Sequence, residues 1–253
     1  MNTVEKRSRF RSLHQQGCFI IPNPWDIGSA KRLEKMGFEA LASTSSGAAM
    51  SLGKEDGELS LDEVLRHLEM LCAATDLPIN ADFESGFAKT PEKLATNVAL
   101  AIRTGIAGLS IEDYSGSKLF DLEEATARIH AAREAIKLSG EDVILVGRAE
   151  GFIRGNPDLT DTIQRLCAYN EAGADCLYAP GIKDLGMIRT VVEAVAPKPL
   201  NVLLISPELR VHDLAALGVR RISVGGALAR IAWSAFERAA LSLLNRGELP
   251  SIA

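Results

Sequence analysis

The chain has 253 residues, 47% hydrophobic and 24% charged, a composition that suits a globular protein with a substantial core. Its net charge of −5 argues against general affinity for nucleic acid or acidic membrane surfaces. No stretch reaches the roughly 18 uninterrupted apolar residues of a membrane helix, and MNTVEKRSRFRSLHQQG has no apolar core of signal-peptide length, so a cytoplasmic protein without a membrane partner is expected.

Four cysteines (Cys18, Cys72, Cys167, Cys176) stand far apart and read as small buried hydrophobes. Four scattered histidines offer no zinc-ligand spacing.

In chain order, a short N-terminal helix precedes strand Cys18–Pro22, helix Ala30–Met36 and strand Ala40–Ser43. Helix Leu61–Ala74, strand Pro78–Asp82, helix Pro91–Arg103 and strand Gly108–Glu112 follow. Next come helix Leu122–Leu138, strand Val143–Arg148, helix Thr160–Ala172 and strand Cys176–Tyr178. Helix Leu185–Val195, strand Leu200–Leu204, helix Pro207–Leu217, strand Arg221–Val224 and helix Ala227–Asn245 complete the pattern. The strands are short continuous apolar runs, as in sheets buried on both faces, and the helices carry apolar residues at spacings of three and four. A weak repeat supports the alternation: MGFEALASTS, TGIAGLSIED, AGADCLYAPG and LGVRRISVGG each leave a helix through glycine and enter a strand. A single (β/α)8 barrel domain over residues 1–253 is the leading architecture, with a doubly wound open sheet as the alternative.

Barrel active sites form at the carboxyl ends of the strands. Here those ends read Ser43-Thr44-Ser45-Ser46-Gly47, Asp82-Phe83-Glu84-Ser85-Gly86, Glu112-Asp113, Arg148-Ala149-Glu150 and Gly225-Gly226. Acidic groups on adjacent strands three and four repel unless compensated, and a hard divalent cation resolves the conflict. Its waters are replaceable by a substrate with two adjacent oxygens, such as a 2-oxo carboxylate. In the plainer alternative, Asp82 and Glu112 cap helices or pair with Arg148 and Lys118. Ser43–Gly47 reads as a carboxylate nest or an ordinary polar loop, and Gly225-Gly226 as a phosphate cradle or a tight turn.

The segments NPWDIGSAKRLEKMGFEALASTSSGAAMSLGKED, PINADFESGF, GIAGLSIED, VGRAEGF and AGAD, in this order over about residues 18–230, resemble the isocitrate lyase/phosphoenolpyruvate mutase superfamily. The resemblance implies a (β/α)8 TIM barrel, often with its eighth helix exchanged between subunits, and a homo-oligomer, dimer or tetramer. It implies Mg2+, or Mn2+ in its stead, chelating a small carboxylic-acid substrate with a pyruvate-like core. Asp82 matches the direct metal ligand, and Glu84 and Glu112 match carboxylates that hold the metal largely through waters. Asp56 matches an acidic site residue, and Thr44, Ser45 and Ser46 match the loop that grips the substrate carboxylate. Arg148 matches the arginine supporting the enolate oxygen. Trp25, in the NPWDIG segment, and Asn201, on strand seven, join the substrate-binding set.

The departures narrow the chemistry. Isocitrate and methylisocitrate lyases carry a KKCGH segment with a catalytic cysteine after strand four, where this chain reads Glu112-Asp113-Tyr114-Ser115-Gly116-Ser117-Lys118-Leu119-Phe120. Phosphonate-processing members place two lysines and an asparagine in this loop, of which only Lys118 remains, and their histidine after strand six gives way near Tyr178-Ala179-Pro180. The expected function is a Mg2+-dependent lyase acting on a small 2-oxo or 2-hydroxy acid, including by decarboxylation, through a pyruvate-type enolate. Arg148 and Lys118 are its candidate catalytic cations, with Tyr178, Glu150 or a water as proton donor. The alternatives are phosphonopyruvate hydrolase or mutase chemistry and a catalytically silent metal and carboxylate binder.

Overall fold

A computed structural model describes residues 1–251. Eight strands, β1 (Phe19–Ile21), β2 (Leu41–Ala42), β3 (Ile79–Asp82), β4 (Gly108–Glu112), β5 (Ile144–Arg148), β6 (Cys176–Tyr178), β7 (Leu200–Leu203) and β8 (Arg221–Ser223), form one sheet in the order β1-β8-β7-β6-β5-β4-β3-β2, every pairing parallel. Between the first and second strands, the Ala42 N–H donates to the Pro22 carbonyl at 3.0 Å. The ring is thus nearly closed, and the architecture is the expected (β/α)8 barrel.

The helices are α1 (Thr3–Leu13), α2 (Ile27–Lys35), α3 (Ser45–Ser51), α4 (Leu61–Ala74), α5 (Pro91–Arg103), α6 (Leu122–Ser139), α7 (Leu159–Glu171), α8 (Leu185–Val195), α9 (Val211–Ala216) and α10 (Ala227–Arg246). Strand side chains alternate between two environments. Leu41, Ile79, Ala81, Leu109, Ile111, Leu145, Leu177 and Ile222 join the large core beneath the helices. Phe19, Ile21, Ala42, Ile144, Val146, Cys176, Tyr178 and Leu203 form a smaller interior cluster. The glycines of the repeat, Gly37, Gly105, Gly173 and Gly218, all adopt the left-handed conformation that ends each helix.

Helix α1 contributes to the interior cluster, with Phe10 fully buried. Its buried cations meet carbonyls, and Arg7 a carboxylate as well: Lys6 Nζ donates to Cys72 O at 2.9 Å and Thr75 O at 2.6 Å, and Arg7 donates to Ile106 O and Ile102 O, each at 3.0 Å, and to Glu141. Gly108 leaves room for this helix. A Cβ there would lie 2.7 Å from Phe10 Cε1, 2.8 Å from Asn80 Oδ1 and 3.1 Å from the Ile144 carbonyl. Gly108→Ala is therefore expected to destabilise the protein by about 1–3 kcal/mol, read by urea denaturation, through overpacking rather than backbone strain.

Three elements differ from expectation: α2 begins at Ile27 rather than Ala30, because Asp26 caps it by accepting the Ser29 N–H at 2.6 Å. Ser45–Ser51, read as part of a polar loop, is a helix capped by Thr44, whose hydroxyl accepts from the Gly47 N–H at 3.3 Å. α9 begins at Val211 rather than Pro207, because a turn in which Leu209 N–H donates to Ser206 O precedes it. α10 spans 20 residues yet buries only Ala229 and Ser242. Ile231, Phe236, Leu241 and Leu244 lie exposed along it. No helix among the described residues is long and apolar enough to cross a membrane, and the four cysteines are free.

Candidate active site

At the carboxyl ends of the strands lie two hollows of about 320 and 290 Å3 that share Ser45, Asp56 and Arg148 in their linings. A larger hollow of about 1090 Å3 lies outside the barrel between α1, α5 and α6, but no strand residue reaches it. The chemistry-bearing groups are at the strand ends.

Arg148 organises them. Its Nη1 lies 3.2 Å from Asp82 Oδ1 and 3.3 Å from Glu112 Oε2, and its Nε donates to Glu150 Oε1. Asp82 and Glu112 therefore face each other across a guanidinium. The pairing of both with Arg148, posed above as the plainer alternative, is realised, while their pairing with Lys118 is not. Asp82 Oδ2 accepts the Ser45 N–H at 3.0 Å and lies 2.9 Å from the Ser45 hydroxyl, which is also 3.2 Å from Asp56 Oδ1. One hydroxyl proton thus serves two competing carboxylates. Ser45 and Ser46 line the cavity with Thr44, but the Ser45 N–H of the expected carboxylate nest is already engaged by Asp82.

Arg154, which the sequence reading did not single out, completes the charge pattern. Its Nε donates to Glu150 Oε2 at 3.0 Å, its Nη2 lies 3.8 Å from Glu112 Oε1, and its guanidinium stacks 4.1 Å from the Tyr114 ring centroid. Its position four residues after Glu150 was the available signal, since that spacing returns a side chain to the same face of a turn. Asn23 was also missed. Its amide donates to Ser43 O at 3.0 Å and accepts from Val224 and Gly225 N–H, tying the ends of β1, β2 and β8 together.

Glu150 is fully buried with both carboxylate oxygens occupied by guanidinium N–H groups. This places it as the residue that aims Arg148 rather than as a free proton donor. Tyr178 lies below Arg148, 5.3 Å from guanidinium carbon to ring centroid, and burial pushes its hydroxyl up to about 12. Lys118 is exposed at the tip of a turn in which Tyr114 bridges Leu119, and it lines neither hollow. Trp25 sits behind α3 in a separate apolar hollow. Asn201 is buried deeper, donating to Ser223 Oγ at 3.0 Å, and does not line the cavity. The structure thus gathers Asp56, Asp82, Glu84, Glu112, Arg148, Glu150 and Tyr178, and leaves Lys118, Trp25 and Asn201 outside. Gly225-Gly226 forms the turn into α10: a Cβ on Gly226 would meet Ser46 Oγ at 2.8 Å and Arg230 Nη1 at 2.7 Å.

The loop carrying Glu84 is held in an uncommon backbone shape, with φ of +46° at Glu84 and +54° at Phe87. Asn97 of α5 donates to Gly86 O and Phe87 O at 2.9 and 3.0 Å, and Arg128 of α6 donates to Ser85 O and Ala88 O at 2.6 and 2.7 Å. Clamped this way, Glu84 points a buried Oε1 at no partner. Burial, then Asp82 and Asp56, pushes its carboxyl up to about 7. Burial and Asp82 likewise raise Asp56, and burial raises Glu112 well above the usual range, only partly offset by Arg148.

A divalent ion fits this donor set. Asp56, Asp82, Glu84, Glu112 and Glu150 outnumber Arg148 and Arg154, and the orphaned Glu84 oxygen lacks a positive partner. Among the described residues, no three acidic, histidine or cysteine side chains converge into a preformed cage. This spread suits a hydrated Mg2+, which takes one or two carboxylates and keeps its waters.

A pH dependence follows. Glu84 binds its proton more tightly in the folded chain than at its ordinary value of 4.5, so its stabilising contribution is complete below about 4.5 and is lost as pH rises through about 7. Without divalent metal, stability is expected to fall between pH 5 and 8 in urea melts. Glu84→Gln should flatten that slope, and Mg2+ should restore stability at pH 8. An unchanged slope in the variant would assign the dependence elsewhere.

The family model for phosphoenolpyruvate phosphomutase matches residues 10–244. The chain belongs to the phosphoenolpyruvate mutase/isocitrate lyase superfamily. Among similar superfamily structures, a protein of Burkholderia cenocepacia J2315 described as a lyase/mutase superposes with a TM-score of 0.95 at 45% identity, covering 98% of this chain and 91% of that one. The uncharacterized protein Rv1998c of Mycobacterium tuberculosis is 33% identical over 95% of this chain and 91% of its own length. The oxaloacetate decarboxylase of Pseudomonas aeruginosa is 31% identical over 88% of this chain and 80% of its own length. Superfamily members are lyases and mutases, typically dependent on a divalent metal.

Proposed function

We propose that the chain is a divalent-metal-dependent lyase, Mg2+ being the preferred ion, that breaks a carbon–carbon bond of a small 2-oxo or 2-hydroxy acid. The observation carrying this reading is the excess of carboxylates around Arg148 at the strand ends, with Glu84 Oε1 buried and unpartnered. An ion held by Asp82, with Glu84 and Glu112 behind its waters, would supply electrophilic charge to adjacent carboxylate and oxo oxygens. Arg148 contributes N–H groups beside the oxygen on which negative charge develops, and Glu150 and Arg154 fix its direction. Ser45 and Ser46 line the place where the substrate carboxylate docks. Tyr178, a phenol that keeps its proton at neutral pH, lines the cavity and offers a hydroxyl to the carbanion, burial making it a weaker acid than an ordinary tyrosine. Lys118, the lysine this chain retains from the phosphonate-processing loop, stands outside the cavity, which favours the lyase reading over phosphonate chemistry.

The test is turnover of oxaloacetate and related 2-oxo and 2-hydroxy acids, followed by product NMR with Mg2+ and with EDTA. Turnover should require the metal and be inhibited by oxalate, which mimics enolpyruvate. Turnover indifferent to EDTA, or none across the series, would refute the proposal.

A further inference from the structure

Below the strand-end carboxylates, the same cavity ends on an arginine that none of the chemistry above uses. Arg221, the first residue of β8, is 3% exposed and lines the 320 Å3 hollow together with Asn80, Ser110 and Ser223. It forms no ion pair among the described residues, unlike Arg148 and Arg154, whose neighbours are carboxylates. Its Nη1 reaches only neutral acceptors, Asn80 Oδ1 at 3.3 Å and His14 Nε2 at 3.5 Å. His14 is neutral, its imidazole pushed down to about 3 by burial and by Arg221 itself. With Nδ1 2.8 Å from the Phe10 carbonyl, the tautomer protonated on Nδ1 leaves Nε2 as a lone pair toward the guanidinium. The Arg221 Nε is buried with no partner. A full positive charge thus stands at the floor of a cavity with no negative group beside it, an arrangement that is costly unless an anion completes it.

We infer that Arg221 forms an anion subsite at the barrel floor that takes the far carboxylate of a diacid whose 2-oxo or 2-hydroxy end sits at Arg148 and Asp82. The inference rests on the proposed function and deepens it. The interval is right for such a molecule. Asn80, bonded to Arg221, and Asp82, bonded to Arg148, are two residues apart on β3, a rise of about 6.6 Å. A four- or five-carbon diacid, built from ~1.5 Å bonds, separates its carboxyl carbons by roughly 4–5 Å, and charge-assisted hydrogen bonds of about 2.8 Å extend its reach at each end. A guanidinium on the far carboxylate also holds that group as carboxylate rather than easing its loss as CO2.

The experiment compares binding of 2-oxoglutarate and 2-oxopentanoate, which share a five-carbon chain and differ in the terminal carboxylate, to the Mg2+-loaded intact chain by calorimetry. The wild type should prefer 2-oxoglutarate at least tenfold. Arg221→Met should abolish that preference while oxalate, which reads only the upper end, binds within threefold of wild type. Equal affinities in the wild type, or a preference surviving in the variant, would overturn the subsite. The wild-type comparison decides the matter even if Arg221→Met does not fold. A chloride-dependent rise in Tm equal to that given by 2-oxoglutarate, and absent from Arg221→Met, would reassign the floor to a bound inorganic ion and also overturn it. Oxalate binding without diacid preference removes the subsite alone, whereas failure of the wild type to bind oxalate removes the proposed function with it.

Discussion

Arg148→Met is expected to lower kcat/KM on whichever acid is turned over by at least about 10²–10³, the usual cost of removing a donor from developing negative charge. It is also expected to destabilise the fold by ~3–5 kcal/mol, since the change strips the shared cation from buried carboxylates. Asp82, Glu112 and Glu150 all lean on this one guanidinium, and Glu150 is fully buried. Losing it removes the cation that opposes the upward push of burial on Glu112, so the folded variant binds a proton there more tightly as pH falls. The destabilisation should therefore shrink toward pH 5 and grow toward pH 8. Urea denaturation at both values reads this without any assay of turnover. Arg148→Lys should rescue little, because one ammonium cannot bridge Asp82 and Glu112 through Nη1 while holding Glu150 through Nε. A methionine variant as stable as wild type at pH 8 would show that the carboxylates are compensated by something else.

Asp113→Ala is expected to cost a similar ~3–5 kcal/mol, with Tm lower by roughly 10 °C. Asp113 is 2% exposed and every oxygen is used: Oδ1 accepts the Glu150 N–H at 2.8 Å, and Oδ2 accepts Tyr169 Oη–H at 2.7 Å and Arg165 Nη1 at 3.1 Å. Removing it leaves Arg165 short of one buried counter-ion and frees the backbone that carries Glu150. The loss should appear in kcat as well as in stability, because Glu150 aims Arg148. Asp113→Asn, which keeps the volume, still turns an NH2 group toward a donor and should recover only part of the loss. A variant within 1 kcal/mol of wild type, a margin below the usual cost of one unsatisfied buried group, would contradict the role assigned to this residue.

Asp113 also shows where sequence reading reaches its limit. Glu112 and Asp113 read as one acidic pair at a strand end, yet they serve different partners. Glu112 meets Arg148 and Arg154 at the cavity, whereas Asp113 meets Arg165 and Tyr169 of α7. The alternation of barrel strands and helices was readable because buried parallel strands are short apolar runs and glycine ends the helices. The acids and Arg148 were readable because strand ends are where a barrel keeps its polar groups. Tertiary partners were not. Lys6 and Arg7 look like the solvated face of α1 until carbonyls, and for Arg7 also Glu141, receive them. Ser45-Ser46-Gly47 looks like loop until Thr44 caps it. Lys118 carries the right charge in the right segment, but the turn from Tyr114 to Leu119 holds it in solvent. Arg221 reads as the polar start of an ordinary strand, and only its place inside the ring makes it a charge without a counter-ion.

The grip of Asn97 and Arg128 on residues 85–88 has a consequence for how such an enzyme can be retuned. The posture of Glu84 is dictated from the outer helical layer, by side chains that line neither hollow. Drift in α5 and α6 can therefore shift the Glu84 carboxylate by small rotations of one loop while every residue lining the cavity stays the same.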